Sequence, residues 1–392
     1  MVNFDFISPT KIFFGKGKEN EVGKIVSSYG FNKVALVYGG GSIKKIGLYD
    51  KVVNSLKEYN IEFVEISGVE PNPKLTHVKK AIKLLENENI QLVLAVGGGS
   101  VIDEAKSIAH GLVNEGDPFD FNISKRISNK ALPVGVILTL SAAGSELSTS
   151  CVITNDEVTP YMKNGFNNEL NRPLFAICNP ELTYTVSKFQ TGCGIVDILM
   201  HTLERFVNVK DECMLSEQFA IGLMKTVLHY GKIAIENPYD YEARANLMLA
   251  SSYSHNGLTG LGKTQSMRVH GLEHTLSGCY DEVAHGAGLS VLWPAWCLFA
   301  LQNERANKQL TILAKELFNL DNAYDGVIAL RDYFKEIGMP VTLDELNTKT
   351  PIDIEKLALT YSKNKTRVVK DFIDLDYYTC KQVFERAKLN AN

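Results

Sequence analysis

The sequence predicts an α/β domain with a parallel sheet, joined to an all-helical domain, on three observations. Short apolar runs alternate with amphipathic stretches over the first 185 residues. Beyond that point the runs fade and long 3.6-residue periodicities replace them. Glycine triplets stand directly behind two of the early runs. Length agrees: 392 residues exceed one ordinary core, so two domains are expected, at 1–185 and 186–392.

The apolar runs are KVALVYG (33–39), IEFVEIS (61–67), QLVLAVG (91–97) and PVGVILT (133–139). Strands buried on both faces of a parallel sheet read as continuous Val/Ile/Leu segments, and these do. Between them LYDKVVNSLKEY (48–59) and LTHVKKAIKLLENE (75–88) carry helical patterns, which makes βαβ units. After SKFQTGCG (187–194) the helical periodicity dominates. In ERANKQLTILAKELF (304–318) it places Leu310, Leu313, Ala314 and Leu317 on one face. ENPYDYEAR (236–244) and MPVTLDEL (339–346) each carry a proline and read as turns between helices.

Composition excludes several function classes. A content of 45% hydrophobic and 22% charged residues is that of a soluble globular protein. A net charge of −4 offers no electrostatic footprint for nucleic acid or an anionic membrane. The seven cysteines are odd in number and lack CxxC spacing, so they read as reduced thiols of a cytoplasmic protein. No basic, then apolar, leader opens the sequence, and no uncharged apolar stretch is long enough to span a membrane.

Chemistry concentrates in GIVDILMH (194–201) and HGLEHTLSGCYDEVAH (270–285), which hold four of the eight histidines. Helical positions i and i+4 share a face, so Asp197 with His201, and His270 with His274, can each grip one ion. His285 follows eleven residues after His274. Imidazole plus carboxylate suits zinc, ferrous iron, manganese or nickel, without a thiolate. A single such pair is more often a polar face or a satisfied core network. The apolar setting (Ile195, Val196, Ile198, Leu199, Met200) argues against a solvated face. Spacing alone does not separate His274 from the other candidate ligands.

GGGS occurs at 39–42 and at 97–100. In AVGGGSVIDEAKSIA (95–109), Gly97, Gly98 and Gly99 let backbone approach a bulky ligand, and the following helix offers amides to a phosphate. The plainer reading is a strand-to-helix turn in which Ser100 caps and Asp103 completes a capping box. At the first triplet Gly39, Gly40, Gly41 and Ser42 stand where an acidic residue would hold a ribose hydroxyl, with Lys44 and Lys45 nearby. That set accommodates a 2′-phosphate, unless both lysines are merely solvated. The loop LTLSAAGSELSTS (138–150) offers Thr139 and Ser145 among its hydroxyls, or is an ordinary flexible loop.

Together these segments resemble the iron-containing (group III) alcohol dehydrogenase family, in its butanol-dehydrogenase-like, aldehyde-reductase branch. The likeness runs from NFDFISPTKIFFGKG (3–17) through GVEPNP (68–73), GGGSVID (97–103), GSE (144–146), NPELTYTV (179–186) and GIVDILMH to HGAGLSVLWPAW (285–296). It implies a Rossmann-like N-terminal domain, a helical C-terminal domain and an active site in the cleft between them. By motif position it implies Asp197, His201, His270 and His285 as ligands of one divalent metal, Fe2+ or Zn2+. His274 is placed beside the nicotinamide. It implies Lys163, in the loop after VITND, as a cofactor contact, and a homodimer as the usual assembly. NAD-preferring members carry Asp where this chain has Gly39–Gly41, which favours NADP(H) over NAD(H). In related sequences the last ligand usually follows the second histidine by ten positions, whereas His274 to His285 spans eleven. The extra residue falls in CYDEVA (279–284) and should be absorbed in a loop there.

The implied reaction is reversible hydride transfer between an aldehyde and a primary alcohol, with His274 as proton relay or pocket wall. Phe166, Trp293 and Trp296 are candidate apolar walls, helix core being the stronger expectation for the tryptophans. Competing readings are a glycerol or polyol dehydrogenase and a dehydroquinate-synthase-like lyase. The latter needs basic residues near the metal, where only Arg205 and Arg268 are close in sequence. Outside enzymes, a nucleotide-binding association module is the alternative.

Overall fold

A computed structural model describes residues 1–388. Eight strands are present among them: β1 (Lys11–Phe14), β2 (Lys33–Gly39), β3 (Glu62–Val69), β4 (Leu92–Gly97), β5 (Val134–Leu138), β6 (Ser150–Asn155), β7 (Met162–Asn167) and β8 (Phe175–Cys178). Six form one sheet in the order β1-β8-β5-β4-β2-β3, every pairing parallel. β6 and β7 form a separate antiparallel pair. Helices α1 (Val22–Ser28), α2 (Ser42–Lys45), α3 (Leu48–Glu58), α4 (Leu75–Leu85), α5 (Gly99–Gly111) and α6 (Phe119–Asn122) connect them.

The two-residue period of a strand sorts this domain's core. Along β2, Ala35 and Val37 point to one cluster, with Leu75, Val78 and Ala81 of α4 and Ile102, Ala105 and Ile108 of α5. Val34, Leu36 and Tyr38 point to the other, with Val22 and Ile25 of α1 and Val52 and Leu56 of α3. Each face is covered, which is why the strand reads as an unbroken apolar run. Fully burying one such side chain, Leu56 for example, contributes about 1.5–3 kcal/mol.

The remaining helices are α7 (Lys188–Phe206), α8 (Met214–Glu236), α9 (Tyr241–His255), α10 (Arg268–Cys279), α11 (His285–Ala300), α12 (Glu304–Phe318), α13 (Ala323–Glu336), α14 (Ile354–Tyr361) and α15 (Tyr377–Lys388). The chain divides into two compact units, but not by a single cut. Ile7–Val186 and Pro238–Ser252 form the α/β unit, and Met1–Phe6, Ser187–Asn237 and Tyr253–Asn392 the helical one. Thus most of α9 counts with the sheet, and the N-terminal residues with the helices. Among the described residues no helix is long and apolar enough to cross a membrane, and all seven cysteines are free.

Trp293 and Trp296 are helix core, each only 1% exposed. The Trp296 indole N–H donates to Asp371 Oδ2 at 2.8 Å. Phe166 lies in β7 against the rings of His110 and Phe121, partly buried and packed on the α/β core.

Candidate metal centre and glycine loops

Helix α7 starts at Ser187, whose hydroxyl accepts the Gln190 amide. From Thr191 to Phe206 it is buried on every side, so its polar residues must find partners in the interior. Asp197 and His201 lie one turn apart. His201 Nδ1 is 3.0 Å from the Asp197 carbonyl oxygen and 3.2 Å from Asp197 Oδ1. His270 of α10 brings Nε2 to 3.5 Å from the same carboxylate oxygen, and His285, first residue of α11, brings Nε2 to 3.8 Å. Candidate donor atoms of Asp197, His201 and His270 all lie within 4.8 Å of one another. Asp197 Oδ1 and His270 Nε2 are buried and make no hydrogen bond.

Charge is poised accordingly. Burial alone pushes the Asp197 carboxyl up, but His201, His270 and His285 outweigh it and hold the group well below the carboxylate range. Burial pushes His201 down to about 4, leaving a neutral imidazole. His270 also suffers burial, yet Glu204 and Asp197 lift it to about 9. A proton there is in competition with any cation bound at the same nitrogen.

Three flanking residues escaped the sequence reading. Glu204 sits on α7 three residues after His201; its Oε2 lies against His270 Nδ1 in a very short contact, and its Oε1 accepts the Val269 amide at 2.6 Å. Glu273 brings Oε2 against His285 Nδ1 in the same way. His255, ending α9, packs its ring 3.9 Å from that of His201. The signal for Glu204 was its place on the Asp197–His201 face, and for Glu273 its place inside the HGLEH run. His255 had none. His274 stands beside the set: its ring is 5.5 Å from His285 and 6.5 Å from His270. Its donor atom groups with those of Glu273 and His285, not with Asp197. The segment 280–284 forms a turn, with the Val283 amide on the Tyr280 carbonyl, immediately before His285.

In the α/β unit the second triplet joins β4 to α5. Gly98 is the N-cap and no side chain caps the helix, so the Ser100–Asp103 capping box is not formed. Asp103 turns inward instead: its carboxylate accepts the Ser145 hydroxyl and, at 3.0 Å, the Val152 amide. Buried Lys106 donates to the carbonyls of Ser145 and Ser150 at 2.7 and 2.8 Å and to that of Ser148 at 3.2 Å. Burial raises the Asp103 carboxyl, opposed by Lys106 and, more weakly, by Lys163. Lys163 lies in β7, not in a loop, and is buried. The segment from Thr139 to Ser150 is therefore pinned, its Thr139 amide on the Gly97 carbonyl at 3.0 Å. A Cβ on Gly98 or Gly99 would come within 3.0 Å of Leu140 or 3.3 Å of Ala143, so these glycines admit that segment as well.

At the first triplet Gly39 ends β2, Gly41 has φ +116°, and Ser42 begins α2. The Lys44 ammonium is 5.2 and 4.6 Å from the ring centres of Tyr38 and Tyr49. Both phenols donate to Glu65, at 2.5 and 2.6 Å.

Two family models match nearly the whole chain: iron-containing alcohol dehydrogenase over residues 9–180, and the C-terminal domain of the Fe-containing alcohol dehydrogenase family over 191–387. The chain is 43% identical to NADH-dependent butanol dehydrogenase A of Clostridium acetobutylicum, over 88% of this chain and 90% of that protein. It is 32% identical to the NADPH-dependent aldehyde reductase YqhD of Escherichia coli, over 88% and 89%. The crystal structure of NADH-dependent butanol dehydrogenase A from Thermotoga maritima superposes with a TM-score of 0.92 at 36% identity, covering 99% of both chains. This chain belongs to the iron-containing alcohol dehydrogenase family.

Proposed function

We propose that the protein is a metal-dependent nicotinamide oxidoreductase that interconverts aldehydes and primary alcohols. The observation that carries this reading is the convergence of Asp197, His201, His270 and His285 around two buried polar atoms without hydrogen bonds. The two atoms lie 3.5 Å apart on oppositely charged groups, yet neither is hydrogen-bonded; a buried polar atom left so costs about 1–3 kcal/mol, more when charged. A cation suits them, and the donor set of one carboxylate and three imidazoles suits iron or zinc. The relatives' names, butanol dehydrogenase and aldehyde reductase, support the substrate class.

When bound, a divalent metal supplies Lewis acidity toward a carbonyl oxygen, and a reduced nicotinamide supplies the hydride. Asp197, His201, His270 and His285 are the residues that would hold the metal. Glu204 fixes the ring of His270 by accepting its Nδ1–H. In the aldehyde-to-alcohol direction the carbonyl oxygen gains a proton; His274, beside the ligands, is the proposed relay, an imidazole being able to exchange protons near neutral pH. Gly39, Gly40, Ser42, Gly97, Gly98, Gly99, Ser100 and Thr139 form the proposed cofactor backbone. Asp103, Ser145 and Lys163 serve it from the interior, by fixing the loop.

NADPH is the cofactor form that the acid-free Gly39–Gly41 strand end favours. NADH is the second reading, favoured by the Lys44 ammonium lying over the rings of Tyr38 and Tyr49, where it is less available to a phosphate. A cytoplasmic homodimer belongs to the same proposal. The test is metal analysis of anaerobically purified protein, followed by a panel of butyraldehyde and glycerol with both cofactors. Turnover of butyraldehyde that vanishes with the metal supports the reading; none with iron or zinc restored defeats it.

A further inference from the structure

We propose that Glu273 is a positioning residue that holds His285 in the metal site, an inference that rests on the function proposed above. His285 is the donor whose place is least determined by its own element. Asp197 and His201 share one helix, and His270 lies in the first turn of α10. His285 follows a five-residue turn and opens a new helix, with no helical turn before it to fix its ring. What fixes it is Glu273, one residue before His274 in α10 and wholly buried. Its Oε2 meets His285 Nδ1, so that Nε2 faces Asp197 Oδ1 at 3.8 Å. One nitrogen is committed to the carboxylate and the other to the site.

The sequence makes room for this clamp. Gly288 lies three residues after His285, one helical turn along α11. A Cβ there would stand 2.8 Å from Glu273 Cγ and 3.2 Å from its Oε1. Only a residue without a side chain lets the Glu273 stem pass. Glu273, Gly288 and His285 form one device, which holds the ligand despite the length of the turn before it. A rival arrangement uses the same atoms: Glu273, His274 and His285 are themselves close enough to bind an ion. That would make Glu273 a ligand.

The experiment loads metal-free protein with Co2+ and reads apparent affinity by chelator competition, with the visible absorption of the bound ion as the coordination signature. Glu273→Ala should weaken Co2+ binding about 10–100-fold, the usual effect of losing a partner to a ligating histidine. It should also shift the absorption bands. Glu273→Gln, whose amide oxygen still accepts from Nδ1, should recover most of the loss, and Gly288→Ala should mimic Glu273→Ala. In a His285→Ala background the Glu273→Ala change should have no further effect. Metal-free melting curves of each variant separate misfolding from weak binding; a Glu273→Ala chain that does not fold hands the decision to Glu273→Gln and Gly288→Ala. Parental affinity in Glu273→Ala, or an undiminished effect without His285, overturns the proposal. So does complete loss in Glu273→Gln with full retention in Asp197→Asn, the mark of the rival arrangement. A parental protein that takes up no Co2+ defeats the metal reading itself, which the other outcomes leave standing.

Discussion

Replacing Lys106 by Met is the sharpest test of how the α/β unit holds its glycine loop. The side chain is fully buried, and its ammonium is the common donor to three carbonyls and the Ser145 hydroxyl. Methionine fills nearly the same space but donates nothing. The carbonyls of Ser145, Ser148 and Ser150 then lose this donor, and Asp103 loses the cation that offsets its burial. Three buried carbonyls that lose a donor, at about 1–3 kcal/mol each where nothing replaces it, put the loss at about 3–5 kcal/mol. For a unit of this size that is a fall in melting temperature of roughly 6–20 °C. Calorimetry is the assay of choice, because both tryptophans lie in α11 and fluorescence reports on the helical unit. Hydrogen exchange should show residues 139–150 opening first. Neutralising the second charge should repair part of the damage, so Asp103→Asn with Lys106→Met should be more stable than Lys106→Met alone. A single mutant within about 1 kcal/mol of the parent, or a double mutant no better than the single, refutes the reasoning.

Further outcomes follow from the same geometry. His270→Ala should lose metal and activity together, whereas His274→Ala should keep metal, by elemental analysis, and lose rate by about 10²–10⁴-fold; stripping of metal by His274→Ala reverses those roles. Gly40→Asp should move the ratio of kcat/KM toward NADH, and an unchanged ratio discards the 2′-phosphate argument. Glu104 raises the pKa of His77, whose Nδ1 lies 2.5 Å away, so the pair's contribution is full below the unfolded value of about 6.5 and is lost as pH climbs through the higher folded value. Melting of the parent relative to His77→Phe should therefore fall between pH 6 and pH 9, and a constant difference counts against the linkage. Trp296→Phe removes a buried donor to Asp371 and should cost about 1–3 kcal/mol by urea unfolding.

Local patterns carried much of the fold. The run at 33–39 is β2 and the periodic stretch 304–318 is α12, because burial on two faces and on one stripe leave direct marks in composition. β1 and β8 are four residues each, too short to stand out, and they exist because each pairs with a neighbour over 160 residues away in sequence. β6 and β7 are polar enough to pass for loop. At the centre, helical spacing placed Asp197 beside His201. Closure onto α9, α10 and α11 is tertiary, so Glu204, Glu273 and His255 gained meaning only once four helices met. Ser100 and Asp103 show the opposite failure: a plausible local cap lost to partners such as Ser145, 42 residues away.

The donors' distribution along α7, α10 and α11 also constrains the order of biosynthesis. Asp197 and His201 emerge from the ribosome roughly seventy residues before His270, and the loop between them must close before their atoms share a volume. A nascent chain that stops short of His285 holds an incomplete cage. On the proposed metal reading, ion capture would be a late event, and the ion would then weight the finished fold by mass action over any state in which those helices have parted.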